Sequence, residues 1–221
     1  MSKLVGVCVT LIVLASLVVL PVTASAENNP QLTEGGTSLA TGANVVATNV
    51  GGTIFTDTSG NALIECTTLR IRGHVISNPP LVIAVTTFYW GGSGPWPAGE
   101  PEPECTGSFG NGSTTMVTNP ICLRSTPTMA TGELQMSGGN CPGGGNVKFI
   151  IGSTTIGECE YETAGAIKGD YKTNTSEMTV RNTAAGSGVK KIRGGFFCPS
   201  SMMLKMTFKL ETENGTAVTI S

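Results

Sequence analysis

Strict alternation of apolar and polar residues is the clearest pattern in this chain. Across residues 202–210, apolar side chains occupy every even position, and Met, Lys and Thr occupy the odd ones. A period of two places the two sets on opposite faces of a strand, and it is typical of an antiparallel sheet with one buried face. The pair Asn214-Gly215 then predicts a hairpin turn into a closing strand at 217–220.

The same pattern recurs along most of the chain. Leu69, Ile71 and Val75 alternate with polar residues, and seven further strands are predicted at 44–48, 81–88, 147–151, 158–162, 166–172, 178–182 and 189–197. Helical periodicity is not sustained anywhere after residue 26, so the crossover helices of a parallel α/β sheet are missing. The prediction is an all-β fold, either an antiparallel sandwich or a partly closed barrel.

Composition supports this prediction. The chain has 30 glycines in 221 residues, and only 13% of its residues are charged, which suits strands joined by tight turns. Residues 91–104 (GGSGPWPAGEPEPE) read as a loop, and residues 27–42 read as a frayed or extended surface segment. Cys66 and Leu69 are an odd number of residues apart, so both can face inward only if a bulge lies near Thr67-Thr68.

Residues 1–26 have the three parts of a secretory signal peptide. Lys3 precedes an apolar run from 4 to 20, and Ala24-Ser25-Ala26 is a cleavage pattern. A membrane anchor is the alternative, but the cleavage pattern favours removal. We therefore expect a secreted β-rich domain at 27–221, extracellular or at the cell surface, with no membrane span after cleavage.

The chain has seven cysteines, of which Cys8 falls in the signal peptide. The other six are predicted to form disulfides, because an exported protein meets an oxidising environment and no C-x-x-C zinc motif is present. Six cysteines allow 15 connectivities. Equal spacings of 39 residues favour the pairs Cys66–Cys105, Cys159–Cys198 and, by remainder, Cys122–Cys141. The equal spacing also suggests duplicated halves at 44–125 and 142–221.

Four strings carry a resemblance: GGTIFTDTSGNALIEC, CLRSTPTMATGELQMSGGNC, STTIGECEYETAGAIKGDY and GGFFCPSSMMLKMTFKLE. With them the chain resembles a group of exported, cysteine-containing β-rich proteins of unknown function from high-GC Gram-positive bacteria. The resemblance implies secretion and paired cysteines. It implies no activity, cofactor or catalytic residue.

An aromatic group offers the first candidate binding site. Tyr89, Trp90 and Trp96 lie beside the Gly/Pro-rich loop, and both tryptophans of the chain are in this group. Exposed aromatics of this kind can stack on a sugar ring or contact a protein. The alternative is that Trp90 closes the core and Trp96 folds back over it.

Glutamates offer the second candidate. Glu158, Glu160 and Glu162 share one face of a predicted strand, where they could bind a cation or act as paired catalytic carboxylates. A solvated outer face opposite the buried Cys159 is the simpler interpretation. His74, the single histidine, is interpreted as an exposed strand residue, and no G-x-S-x-G motif accompanies it.

The sequence therefore predicts a non-enzymatic exported β-protein with a structural or interaction role, with no metal and no cofactor. The alternatives are a carbohydrate- or cell-wall-binding module using Trp90 and Trp96, and a secreted hydrolase using paired glutamates. A net charge of −2 argues against nucleic acid as a partner, because binding a polyanion requires a basic surface. A cell-surface glycan or a protein partner is compatible with these patterns.

Overall fold

The computed structural model describes residues 29–90, 105–108, 110, 112–126, 129, 131–142, 144–153, 155–182 and 188–221. Within these ranges the regular structure consists of strands and contains no helix, which confirms the predicted all-β fold. The strands are β1 (Leu32–Glu34), β2 (Thr37–Ser38), β3 (Asn44–Asn49), β4 (Thr53–Thr56), β5 (Ala62–Cys66), β6 (Leu69–Ser77), β7 (Val82–Trp90), β8 (Cys105–Thr106), β9 (Gly112–Met116), β10 (Ile121–Arg124), β11 (Glu133–Gly138), β12 (Lys148–Ser153), β13 (Gly157–Thr163), β14 (Ile167–Tyr171), β15 (Glu177–Asn182), β16 (Val189–Arg193), β17 (Ser201–Thr212) and β18 (Val218–Ile220).

Eight antiparallel strands close into a barrel, which we call the first ring. Their order is β15-β14-β11-β10-β7-β6-β3-β17, and β17 pairs back with β15. Closure leaves no open sheet edge within the ring. Of the two predicted architectures, the structure has the barrel, and the barrel is complete.

The remaining strands of the large sheet form a second ring, and this ring also includes β17. From β17 it runs through β16, β13, β12, β9, β8, β5 and β4, and β4 pairs with β17 again. The two rings use opposite ends of β17 and share residues 204 and 205. Residues 201–205 pair with β16 and β4, while residues 204–212 pair with β15 and β3.

Strand β17 explains why both rings share one core. Its even-numbered side chains, Met202, Leu204, Met206, Phe208 and Leu210, are all buried, as their alternation predicts. They belong to a single cluster of buried residues that draws on both rings. Burial on one face of one continuous strand therefore joins the two rings into one apolar interior.

The expectation of a frayed segment at 27–42 is wrong for the described residues 29–42. Leu32 is fully buried, and β1 pairs with β18 and β2 in a small three-stranded sheet. Asn78 holds this segment in place: its Oδ1 accepts from the Leu32 N–H at 2.8 Å, and its Nδ2 donates to the Leu32 carbonyl at 2.9 Å. The polar composition of this segment did not reveal that Leu32 is buried or that β1 pairs with two other strands.

The bulge expected near Thr67-Thr68 is absent, and the chain instead passes there from one ring to the other. Strand β5 ends at Cys66 in the second ring, and β6 begins at Leu69 in the first. Both Cys66 and Leu69 are buried because they belong to different strands.

Three disulfides connect Cys66 with Cys105, Cys122 with Cys141 and Cys159 with Cys198, the pairing that the spacing favours. Such bridges indicate an oxidising, extracellular environment. Each ring contains strands from both 44–125 and 142–221, so these segments are interleaved in the fold. Their duplication stays a prediction.

Candidate functional site

The predicted aromatic site lies only partly within the described residues. Tyr89 and Trp90 form the end of β7, where their backbones pair with Arg70 and Leu69 of β6. Trp96 lies outside the described residues. The stacking platform therefore stays a prediction.

A small cavity lies beside the end of β7. It has a volume of about 190 Å³ and is lined by Phe88, Met116, Thr118 and Asn119, among others. Ligand pockets in proteins usually measure about 300–1,000 Å³. The cavity is thus too small for a ligand of ordinary size.

The glutamate row faces outward from the second ring. Cys159 and Tyr161, which alternate with the glutamates on β13, are fully buried. Glu160 forms an ion pair with Arg193 at 3.2 Å, and Glu162 pairs with Lys148 at 3.7 Å. Within the described ranges, no group of three or more His, Cys, Asp or Glu side chains is arranged to hold a metal ion. This arrangement matches the solvated outer face that the alternation favours.

His74 lies on β6 as expected, but it is half-buried rather than exposed, because β6 is flanked on both sides: His74 pairs with Asn44 of β3 and Ala84 of β7. No described carboxylate forms a hydrogen bond or ion pair with it. A catalytic histidine needs a nucleophile and an orienting group in contact with it. The described surroundings of His74 contain neither.

The most exposed apolar side chains lie elsewhere, at the turn that follows β16. Phe196 is 95% exposed and Phe197 is 72% exposed. The other exposed large apolar side chains of the described residues are only 37% to 46% exposed. The phenyl groups of Phe196 and Phe197 contact each other edge to face, with centroids 5.9 Å apart and planes at 78°. We call Phe196 and Phe197 the aromatic tip.

Gly194 follows the last residue of β16 and is the first residue of the turn. Its φ of +136° lies in the region that favours glycine. A Cβ at this position would lie 2.5 Å from the Cys198 Sγ and 3.1 Å from the Cys159 Cα. The sequence analysis placed a strand over 189–197, but β16 ends at Arg193 because the backbone here turns against the disulfide.

The turn that carries the aromatic tip is braced on both sides. Cys198 is bonded to Cys159 of β13, and its N–H donates to the Gly195 carbonyl at 3.2 Å. The Lys191 ammonium donates to the carbonyls of Gly195 at 3.3 Å and Cys198 at 3.0 Å. These contacts fix the turn around the two phenylalanines while leaving their rings in solvent.

Tyr161 supports the far end of the turn. Its hydroxyl donates to the Pro199 carbonyl at 3.2 Å, and its ring stacks on Phe149 with centroids 5.9 Å apart. Phe149 in turn contacts Phe55 at 5.4 Å. Burial raises the pKa of Tyr161 above its ordinary value of about 10, so the hydroxyl keeps its proton and stays a donor at neutral pH.

Cationic and apolar side chains flank the aromatic tip on β16. Lys190 is exposed, Ile192 is 45% exposed, and the Arg193 side chain is largely exposed beside Glu160. The tip is therefore an apolar point whose base carries charges of both signs: Lys190 and Arg193 on β16, and Glu158 and Glu160 beside Cys159 on β13. This arrangement can contact an apolar phase or pocket.

The sequence analysis missed this site, although a signal for it was present. Adjacent side chains in a regular strand point to opposite faces. If 189–197 were a strand with one buried face, only one of Phe196 and Phe197 could be buried. The preceding Gly194-Gly195 pair indicates a turn.

No family model, curated protein or solved structure matches this chain. No helix in the described part of the chain has the length and apolar character needed to cross a bilayer.

Proposed function

We propose that this protein is an exported, non-enzymatic interaction module that works at or outside the cell surface and contacts its partner through the aromatic tip. The signal-peptide pattern at 1–26 and the three disulfides support export. The resemblance to exported proteins of high-GC Gram-positive bacteria supports a bacterial cell surface as the setting.

A single observation carries the proposal: two phenylalanines stand in solvent on a covalently braced turn. Folding does not need them there, because exposed apolar area contributes nothing to the core. A fixed turn lowers the ordering cost of binding, since the tip already has its bound shape. Exposed apolar side chains on a preorganised turn are typical of a binding surface.

The absence of enzymatic activity is the second part of the proposal. Glu160 and Glu162 form ion pairs with Arg193 and Lys148, and such pairs are typical of a structural strand surface. No metal and no cofactor are proposed. The net charge of −2 supports a partner other than nucleic acid.

Co-sedimentation with isolated cell envelopes tests the proposal. The oxidised protein should sediment with envelopes of a high-GC Gram-positive bacterium, and the double variant Phe196→Ser, Phe197→Ser should remain in the supernatant. Val117→Ser is the matched control, because Val117 is an exposed apolar residue just beyond β9, three strands from β16 in the second ring. Equal sedimentation of the double variant and the wild type would refute a role for the tip.

A further inference from the structure

We infer that the partner of the aromatic tip is a lipid surface, into which Phe196 and Phe197 insert. The inference rests on the proposed function, because it names the chemistry of the partner that the tip contacts. Three properties of the tip support it: the small apolar area that it offers, its position on an exposed turn, and the residues at its base.

The apolar area of the tip is too small to form, by itself, a stable interface with a protein partner or with a second copy of this chain. A phenylalanine buries roughly 150–250 Å², so the pair offers about 300–500 Å². A stable protein interface buries about 800 Å² on each partner. Apart from the tip, Ile192 is the one exposed large apolar side chain that β16 and its turn add within the described residues. A lipid surface requires no matching partner area, because it deforms around whatever inserts.

The position of the tip fits insertion. Phe196 and Phe197 lie at the turn itself, where Phe196 is 95% exposed and Phe197 is 72% exposed. An exposed pair of this kind can enter the boundary between headgroups and acyl chains while the strands stay in water. Aromatic rings are favoured at that boundary.

The base of the tip also fits a headgroup layer. Lys190 and Arg193 lie within seven residues of Phe197 along the chain, and both are exposed. Their aliphatic stems can lie along an apolar surface while the charges remain among phosphates. Because Arg193 already pairs with Glu160 and the whole chain carries a net charge of −2, insertion of the rings supplies most of the affinity.

Vesicle flotation is the first test. The oxidised protein is mixed with vesicles of phosphatidylcholine containing a minority of phosphatidylglycerol, at low and at high salt. Wild type and Val117→Ser should float with the vesicles at both salt concentrations. Each single variant, Phe196→Ser and Phe197→Ser, should lower the partition coefficient by about tenfold or more, from the area that each ring buries. Flotation that disappears at high salt would overturn insertion as the driving force.

Quenching of tryptophan fluorescence by brominated lipid changes only when the tip enters the bilayer. In Phe196→Trp, the new indole should be quenched by phosphatidylcholine brominated on its acyl chains, beyond the quenching of wild type, in which Trp90 and Trp96 report the background. Because Phe196 is almost fully exposed, the variant should keep the near-ultraviolet circular dichroism of the fold and all three disulfides. An added indole that bromolipid does not quench would overturn the inference.

The two proposals fail in different ways. Envelope binding that depends on the tip but survives lipid extraction, without vesicle flotation, would overturn the lipid inference in favour of a protein or glycan partner. Tip-dependent dimers seen by light scattering would overturn it in favour of a second copy. Envelope binding that does not change in the double variant would remove the proposed function itself.

Discussion

At Gly194, one missing side chain determines where β16 ends and how the aromatic tip is presented. The residue combines a φ of +136° with close approach to the disulfide, and either property alone excludes a side chain. Its neighbour Gly195 has open space around it and no such backbone requirement. Two adjacent glycines therefore have different roles, and each can be tested against the other.

Gly194→Ala should lower the free energy of unfolding by about 1–3 kcal/mol, from backbone strain and contact with the Cys198 Sγ. Gly195→Ala is the matched control and should change stability by less than about 0.5 kcal/mol. Urea unfolding of the oxidised proteins measures both values. Equal stability of the two variants would contradict the close approach of Gly194 to the disulfide.

Tyr161 predicts a pH effect. Since its pKa is raised in the folded state, the folded protein holds the phenolic proton more tightly than the unfolded chain does. This contribution to stability is complete below the ordinary tyrosine pKa of about 10 and is lost as pH rises above that value. Tyr161→Phe lacks the Pro199 hydrogen bond and should be less stable by about 0.5–1.5 kcal/mol at neutral pH.

The difference between wild type and Tyr161→Phe should therefore shrink as pH rises above 10, whatever the other titrating groups do. Denaturant unfolding at several alkaline pH values measures the difference. A gap that widens with pH would contradict the burial of the Tyr161 hydroxyl.

At the scale of elements, two disulfides of equal span have different surroundings. Cys66–Cys105 and Cys159–Cys198 each join cysteines 39 positions apart in the chain. The first joins directly paired residues of β5 and β8, whereas the second ties β13 to the turn that carries the aromatic tip. Their loop-closure contributions are therefore alike, but only the second holds the tip.

Replacing either pair by serines should lower the free energy of unfolding by about 3–4 kcal/mol, because loops of this length restrict the unfolded chain equally. Only Cys159→Ser with Cys198→Ser should also weaken envelope binding, measured at a temperature where both variants are folded. Equal loss of binding in the two variants would show that the bridge near the tip acts through stability alone.

Regular alternation predicted several of the elements whose one face is buried, but not β4, which also alternates. Strands β17, β6 and β13 fit their predicted ranges closely, since each has a core face and a solvated face. Strand β10 was missed, and it does not alternate: Ile121, Cys122 and Leu123 are all buried. Strand β8 is only two residues long and has no pattern to find.

At the scale of the whole molecule, ring closure could not be predicted from local patterns. The first ring closes where β17 pairs with β15, and the second closes where β17 pairs with β4, nearly 150 residues away in the chain. Alternation says which face of β17 is buried, but it does not say which strands lie beside it. The spacing of cysteines supplied the one long-range restraint available from the sequence.

The candidate site depended on the whole molecule for the same reason. The exposure of Phe196 and Phe197 follows from a turn that forms against Cys159, Tyr161 and Lys191, residues that reach it only in the folded state. Local pattern assigned the two phenylalanines to a strand. The tertiary contacts of the turn with Cys159, Tyr161 and Lys191 leave the two side chains in solvent.

Peptide mass mapping of the protein recovered from outside the producing cell, without reduction, tests the central claim most directly. We expect a chain that starts at Glu27 and in which Cys159 is joined to Cys198. The same preparation should bind cell envelopes. Six free thiols, or Cys159 joined to a cysteine other than Cys198, would contradict it.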